Sequence, residues 1–215
     1  MKYTKYTVRV TFETEVLGGS PLDAEVYSNY VAAKAPVPTE AVSDEVATIQ
    51  NAVELAKAKA DALDIKGRTV FRRDADGKPV FVDYMWKGFF KEAWQAMRQV
   101  PDSESSRRTG GKSKITDLLF VEPRFVVLHV PDGEKEGTLE RPLRADTPLG
   151  PRVALAGSEL LPIGTWCELT ITVLSSTVIS RALLEEWLDY GRWLGMGQWR
   201  SGGYGRFAAD ITEQE

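Results

Sequence analysis

GMGQWRSGGYGRF, residues Gly195–Phe207, is the stretch on which the reading of this chain turns. Five glycines, Gly195, Gly197, Gly202, Gly203 and Gly205, are set among Gln198, Trp199, Arg200, Tyr204 and Arg206, and no acidic residue interrupts them. Glycine has no Cβ, so such a loop reaches φ > 0 and can bring backbone N–H groups close to a ligand. Successive N–H groups in turns make concave anion sites, and arginine adds a fork that fits phosphate. Trp199 and Tyr204 offer flat faces on which a base can stack. The plainer alternative is a tight helix-to-strand connection, because a glycine just past a helix end is ordinary. A helix end needs one glycine; five, with arginines and aromatics among them, exceed that need.

The flanks support a helix before the loop and a strand after it. Ser180–Leu194 carries Leu183, Leu184, Trp187, Leu188, Gly191 and Leu194 at helical spacing, and Arg206–Thr212 is β-like. Further back, Trp166–Ser175 alternates with Cys167, Leu169, Ile171 and Val173 inward, as a strand does. Gly137–Glu159 places Arg141, Arg144 and Arg152 around a turn with Pro148, Gly150 and Pro151, a pattern that predicts a projecting hairpin. Ile115–Val130 holds two apolar stretches around VEPRF, one bent strand or a pair, with the chain's single histidine, His129, in FVVLHV.

Pro101–Lys114, PDSESSRRTGGKSK, has no core-forming residues and is expected to be a mobile basic loop. Trp86–Val100 reads as a helix with Phe90, Ala93, Trp94 and Met97 on its apolar stripe. Lys87, Gly88 and Lys91 then fall at its first turn, where the helix dipole already favours anions. The bland alternative for Lys87 and Lys91 is a pair of solvated surface lysines. Arg68–Tyr84 predicts a hairpin turning at Asp76-Gly77, with Pro79 near an edge. Ser43–Leu63 is the longest helical candidate, capped by Ser43, and its exposed face is acidic near its start. Asp23–Ala33 predicts a short helix, APVPTEA a linker, and Tyr3–Val16 a strand with one face buried.

With 215 residues, 43% of them hydrophobic, the chain can bury a core as one domain. A net charge of −4 argues against a uniformly basic nucleic-acid coat, so any polyanion site is local. Cys167 has no partner for a disulfide and fits a reducing, cytoplasmic compartment. Single copies of His and Cys leave no His/Cys metal site, and nothing points to a cofactor. Met1–Val16 alternates charges with apolar residues, unlike a signal peptide, and no run is long enough to span a bilayer.

Without its insertions, the order is strand, helix, strand, strand, helix, strand, the βαββαβ pattern of an α+β ferredoxin-like or RRM core. The elaborations fall at about 17–85 and 131–164 of a single 1–215 domain. A loop of the form GxGxxRxxGxGxF between the last helix and last strand resembles the RAMP superfamily of CRISPR-associated RNA-binding proteins. The KGFFKEA segment is similar to the Gly-Lys helix start of many members, and the arginine-bearing hairpin resembles the thumb of the CRISPR effector backbone subunit. The wording GFFK…ERPLRA…GQWRSGGYGRF also resembles an uncharacterised phage and prophage family.

The resemblance implies backbone-directed binding of single-stranded nucleic acid, RNA before DNA. It would set Gly195, Gly197, Gly202, Gly203 and Gly205 against phosphates with Arg200 and Arg206. Lys87 and Lys91 would meet the strand's backbone, and Arg141, Arg144 and Arg152 would lie on the thumb. A negative chain would need to oligomerise to build a continuous groove. Two other readings compete with this non-catalytic one. A metal-independent endoribonuclease would want a general acid/base such as histidine, and His129 has no recognisable partner. A structural or inhibitory interaction protein is favoured by the negative charge, and gains if the arginines are consumed by Asp146, Glu159 or the acidic helix.

Overall fold

The computed structural model describes residues 3–21, 47–48, 50–51, 68–147, 150–175 and 177–214, with 143–147 and 151–154 described by backbone alone. The described residues make a mixed α+β fold whose strands form three sheets. The first is antiparallel, in the spatial order β12 (Phe207–Glu213), β1 (Thr4–Phe12), β11 (Trp166–Val173), β7 (Leu119–Glu122). In register, β1 runs from Thr4↔Val173 to Thr11↔Trp166 on one side and from Tyr6↔Glu213 to Phe12↔Phe207 on the other. The predicted strands at the two ends of the chain are therefore direct neighbours.

Alternation explains why this sheet has one buried face. Tyr6, Val8, Val10 and Phe12 point into the core with Cys167, Leu169, Ile171 and Val173. Burying a side chain of this kind is worth roughly 1.5–3 kcal/mol. The opposite face carries exposed Arg9, Thr11, Glu168 and Asp210. Two helices join the buried side: α1 (Asp83–Met97) through Trp86, Phe89, Phe90, Ala93 and Trp94, and α3 (Arg181–Asp189) through Leu183, Leu184, Trp187 and Leu188. Ser180 caps α3 by accepting from the Leu183 N–H. Between them, α2 (Gly111–Leu118) leads directly into β7.

The second sheet holds β2 (Val16–Leu17), β3 (Ser20–Pro21), β4 (Arg68–Val70) and the hairpin of β9 (Gly137–Thr147) and β10 (Gly150–Leu161). The third contains β5 (Arg72–Arg73), β6 (Pro79–Val82) and β8 (Phe125–Val127). The turn at Asp74–Lys78 forms as predicted, with Gly77 at φ 76°. Pro79, however, lies on the central strand of that sheet rather than near an edge; it is the first residue of β6, a strand position that tolerates proline, and its carbonyl accepts from the Leu128 N–H. Of the two readings of Ile115–Val130 the pair holds: β7 and β8 are separate strands in different sheets, and Ile115–Leu118 is the end of α2.

Two further expectations change. Helix α1 starts at Asp83, whose carboxylate accepts from the Tyr84 N–H at 2.7 Å and suits the positive end of the dipole. Lys87 and Lys91 consequently lie in the second and third turns, not at the N-terminus. The Pro101–Lys114 stretch is not a free loop either. Ser105 is fully buried, and the Glu186 carboxylate of α3 accepts from the N–H groups of Glu104 (2.6 Å) and Ser105 (3.1 Å) and from the Ser105 hydroxyl. Trp187 Nε1 donates to the same hydroxyl at 2.9 Å, and Arg108 donates to the carbonyls of Thr177 and Val178. Glu186→Ala should cost about 1–3 kcal/mol through the donors it orphans. Limited proteolysis should then cut within 101–110 of the variant and spare the parent; equal resistance would refute the anchor.

The predicted helices Asp23–Ala33 and Ser43–Leu63, and the linker between them, lie almost wholly outside the described residues; 47–48 and 50–51 are helical.

Candidate nucleic-acid interface

The glycine segment is built on aromatic packing. Phe207 sits edge-on to Phe12 (5.8 Å) and Trp86 (6.0 Å) in the core, which fixes the start of β12. On the other flank, α4 (Gly191–Leu194) closes on the Phe207 ring because Gly191 has no Cβ to obstruct it. Between these anchors the chain folds back on itself. Met196 N–H donates to the Gly205 carbonyl at 2.8 Å, while the N–H groups of Gln198 and Gly205 reach the carbonyls of Leu17 and Glu15.

This geometry reassigns most of the predicted phosphate donors. Gly195 N–H goes to Gly191, Gly202 N–H to Trp199, Gly203 N–H to Arg200 and Gly205 N–H to Glu15. A Cβ on Gly197 would approach the Leu17 carbonyl oxygen at 2.6 Å. The glycines thus permit a tight fold-back, and the backbone donors of Gly195, Gly202, Gly203 and Gly205 are satisfied inside the protein.

The side chains do converge. Trp199 and Tyr204 stack on each other with ring centroids 5.2 Å apart and planes 18° apart. Arg141, from β9, lies 4.3 Å from the Trp199 ring centroid. It is only 7% exposed, donates to the Ser158 hydroxyl at 3.3 Å, and its Nε is buried without a partner. The Nε of Arg206 is buried and unpartnered too. Neither arginine meets a carboxylate among the described residues. The hairpin and the glycine segment therefore meet at one cluster, Arg141–Trp199–Tyr204. The expectation that both rings offer free stacking faces is corrected: they are spent partly on each other and on Arg141.

Arg200 behaves differently, donating to Glu92 of α1 at 2.6 and 3.4 Å. Arg144 pairs in register with Val153, and Arg152 with Ala145, three and four rungs beyond Arg141 toward the tip. At about 3.3 Å per residue their backbones stand roughly 10–13 Å further out; their side chains lie outside the described residues. Lys87 is also apart, its Nζ 4.5 Å over the ring of Phe120 on β7, the sheet edge opposite β12. Burial pushes its ammonium below the usual lysine range, with Lys91 adding repulsion. His129 stacks on Trp166 at 4.2 Å, and Arg9 lies 4.0 Å from the same indole, so the one histidine is part of a sheet-face stack. Glu159 is taken up by Arg73, not by a predicted site arginine. No cluster of three or more metal-ligating side chains occurs among the described residues, and none of their helices is long and apolar enough to cross a membrane.

One aromatic escaped the sequence reading. A pocket of about 520 Å³ opens beside the glycine segment, lined by Tyr190, Trp193, Leu194, Gln198, Trp199 and Arg200. Trp193 is 69% exposed. Its signal was its position off the apolar stripe of Ser180–Leu194: a tryptophan there has no core to fill.

No protein-family model and no curated protein matches the sequence. Solved structures do match. A chain of the type III-B Cmr-beta complex bound to cognate target RNA superimposes with a TM-score of 0.59 at 10% identity, covering 100% of this chain and 61% of that one. A chain of a type IV-B CRISPR complex gives a TM-score of 0.45 at 12% identity, covering 97% and 90%. This chain spans about three-fifths of the Cmr-beta chain's length. At such identity the likeness is one of architecture: the chain shares the fold of that Cmr-beta chain.

Proposed function

We propose that this chain is a single RAMP-like domain that binds single-stranded nucleic acid, RNA in preference to DNA, without cleaving it. In this reading the β12-β1-β11-β7 sheet with α1 and α3 is a ferredoxin-like core, elaborated at about 17–85 and 131–164. The observation that carries the proposal is the cluster at Trp199. Two arginines that meet no carboxylate among the described residues, Arg141 and Arg206, stand at the glycine segment of a chain whose net charge is −4. A guanidinium with no carboxylate beside it favours an anionic partner, and a phosphate would supply charge-assisted bonds to its terminal nitrogens. Arg144 and Arg152 extend the positive track along the hairpin, Lys87 and Lys91 serve a separate contact, and neighbouring copies complete the groove. The solved Cmr-beta assembly, bound to RNA, supports the choice of ligand.

Fluorescence anisotropy with labelled RNA and DNA over a salt series tests this. Affinity should fall with log salt, because lysine and arginine displace counterions. Arg206→Ala should weaken RNA binding roughly tenfold to a hundredfold, the loss of about 1.5–3 kcal/mol expected for a charge-assisted contact. Its melting temperature should hardly move. No binding by the parent at micromolar protein and low salt would overturn the proposal. It would favour the interaction-protein reading, which has one observation of its own: Arg200 is already consumed by Glu92.

A further inference from the structure

We infer that the pocket between α4 and the glycine segment accepts one unstacked nucleobase of the bound strand, with Trp193 as its stacking face. The inference rests on the nucleic-acid reading above and adds a second contact type to it. Among the described residues Trp193 is the most exposed large apolar side chain, at 69%. Its indole makes no ring stack or cation contact with another described residue, whereas Trp199 is engaged by Tyr204 and Arg141. It is therefore the aromatic surface left open at this site.

The other walls suit a base better than an aliphatic chain. Gln198 brings both a donor and an acceptor, and its backbone is held in place by its N–H on the Leu17 carbonyl at 2.9 Å. Arg200 stands at the wall with its guanidinium oriented by Glu92, and its side chain remains 34% exposed. Half-neutralised in this way, it is a directional hydrogen-bond fork more than a free charge. A flat apolar face with amide, guanidinium and phenol groups around it matches a heteroaromatic ring carrying polar edges. The volume, about 520 Å³, falls within the roughly 300–1,000 Å³ of small-molecule sites and leaves room for a ring and its sugar. Every base has a π-face, so the contact adds affinity with little sequence preference.

The test uses the full chain, Trp193→Ala and Trp193→Phe, with a fluorescein-labelled RNA of about 16 nucleotides. Trp193→Ala should weaken binding about fivefold to a hundredfold, the range seen for loss of one base–aromatic stack. Trp193→Phe should recover most of that loss. The slope of log affinity against log salt should stay as in the parent, because no phosphate contact is removed. Because Trp193 is exposed, both variants should melt with the parent, which removes misfolding as a cause. If Trp193→Ala binds RNA like the parent while Arg206→Ala does not, the pocket inference is wrong and the nucleic-acid reading stands. A Trp193→Ala variant that binds normally but changes oligomeric state would also overturn it, assigning the pocket to a protein contact. A parent that binds no RNA at all defeats the underlying reading, and the pocket inference with it.

Discussion

Gly205→Ala should destabilise the protein by more than about 4 kcal/mol, a size reserved for substitutions with a definite structural cause. Two costs add. Gly205 has φ 72°, where a Cβ costs roughly 1–2 kcal/mol. That Cβ would also be driven into the Met196 backbone carbonyl. Backbone cannot step aside as a side-chain tip can, so the Met196 N–H···O=C Gly205 bond and the strap to Glu15 must open. In a chain of this length each kcal/mol moves the melting temperature by about 2–4 °C, so a drop of roughly 10 °C or more is expected. Gly203→Ala is the matched control. It shares a positive φ of 90°, but its Cβ would meet only the Arg206 guanidinium, at 3.8 Å. It should lose only the backbone term, about 1–2 kcal/mol. Calorimetry on the pair checks the argument, and equal melting temperatures would refute it.

Arg73→Met should cost about 3 kcal/mol, because it strands two half-buried carboxylates, Glu136 and Glu159. The Arg73 side chain is 3% exposed and donates to both Glu136 carboxylate oxygens at 2.8 Å, to the Gly77 carbonyl at 3.1 Å and to Glu159. Glu159 also accepts from the Phe71 N–H at 2.8 Å. The cluster ties the β5–β6 hairpin to β10 and to the segment before β9. Burial pushes the Glu159 carboxyl above the usual carboxylate range, against the opposing pull of Arg73 and the Phe71 N–H. Without Arg73 that push grows. A carboxyl whose folded pKa is raised contributes stability at low pH that is lost as pH rises through the folded value. The deficit of Arg73→Met relative to the parent should therefore be smaller at about pH 4 than at about pH 7. Urea melts at both values measure it; a deficit that widened on acidification would contradict the assignment.

Much of the secondary structure could be read from the chain alone. Tyr3–Val16 and Trp166–Ser175 alternate with period two because one sheet face is buried. Ser180–Leu194 repeats at helical spacing because α3 buries one stripe. These are local consequences of burial, written in neighbouring residues. The polar run at Pro101–Lys114 misled because its anchor is not apolar: Ser105 and a carboxylate far along the chain, Glu186, hold it. A hydrogen-bond acceptor on another element leaves no periodicity to detect.

For the candidate site, composition alone marked where unusual chemistry gathers: glycines, aromatics and arginines between the last helix and the last strand. Only the tertiary structure decided how each is used. It sent four of the five glycine N–H groups to internal carbonyls, stacked Trp199 on Tyr204, brought Arg141 onto that stack, gave Arg200 to Glu92 and left Trp193 in the open. The reason is physical. Backbone preference and the burial pattern depend on residues within a turn or two, whereas the partner of a long polar side chain is whatever the topology sets within its reach.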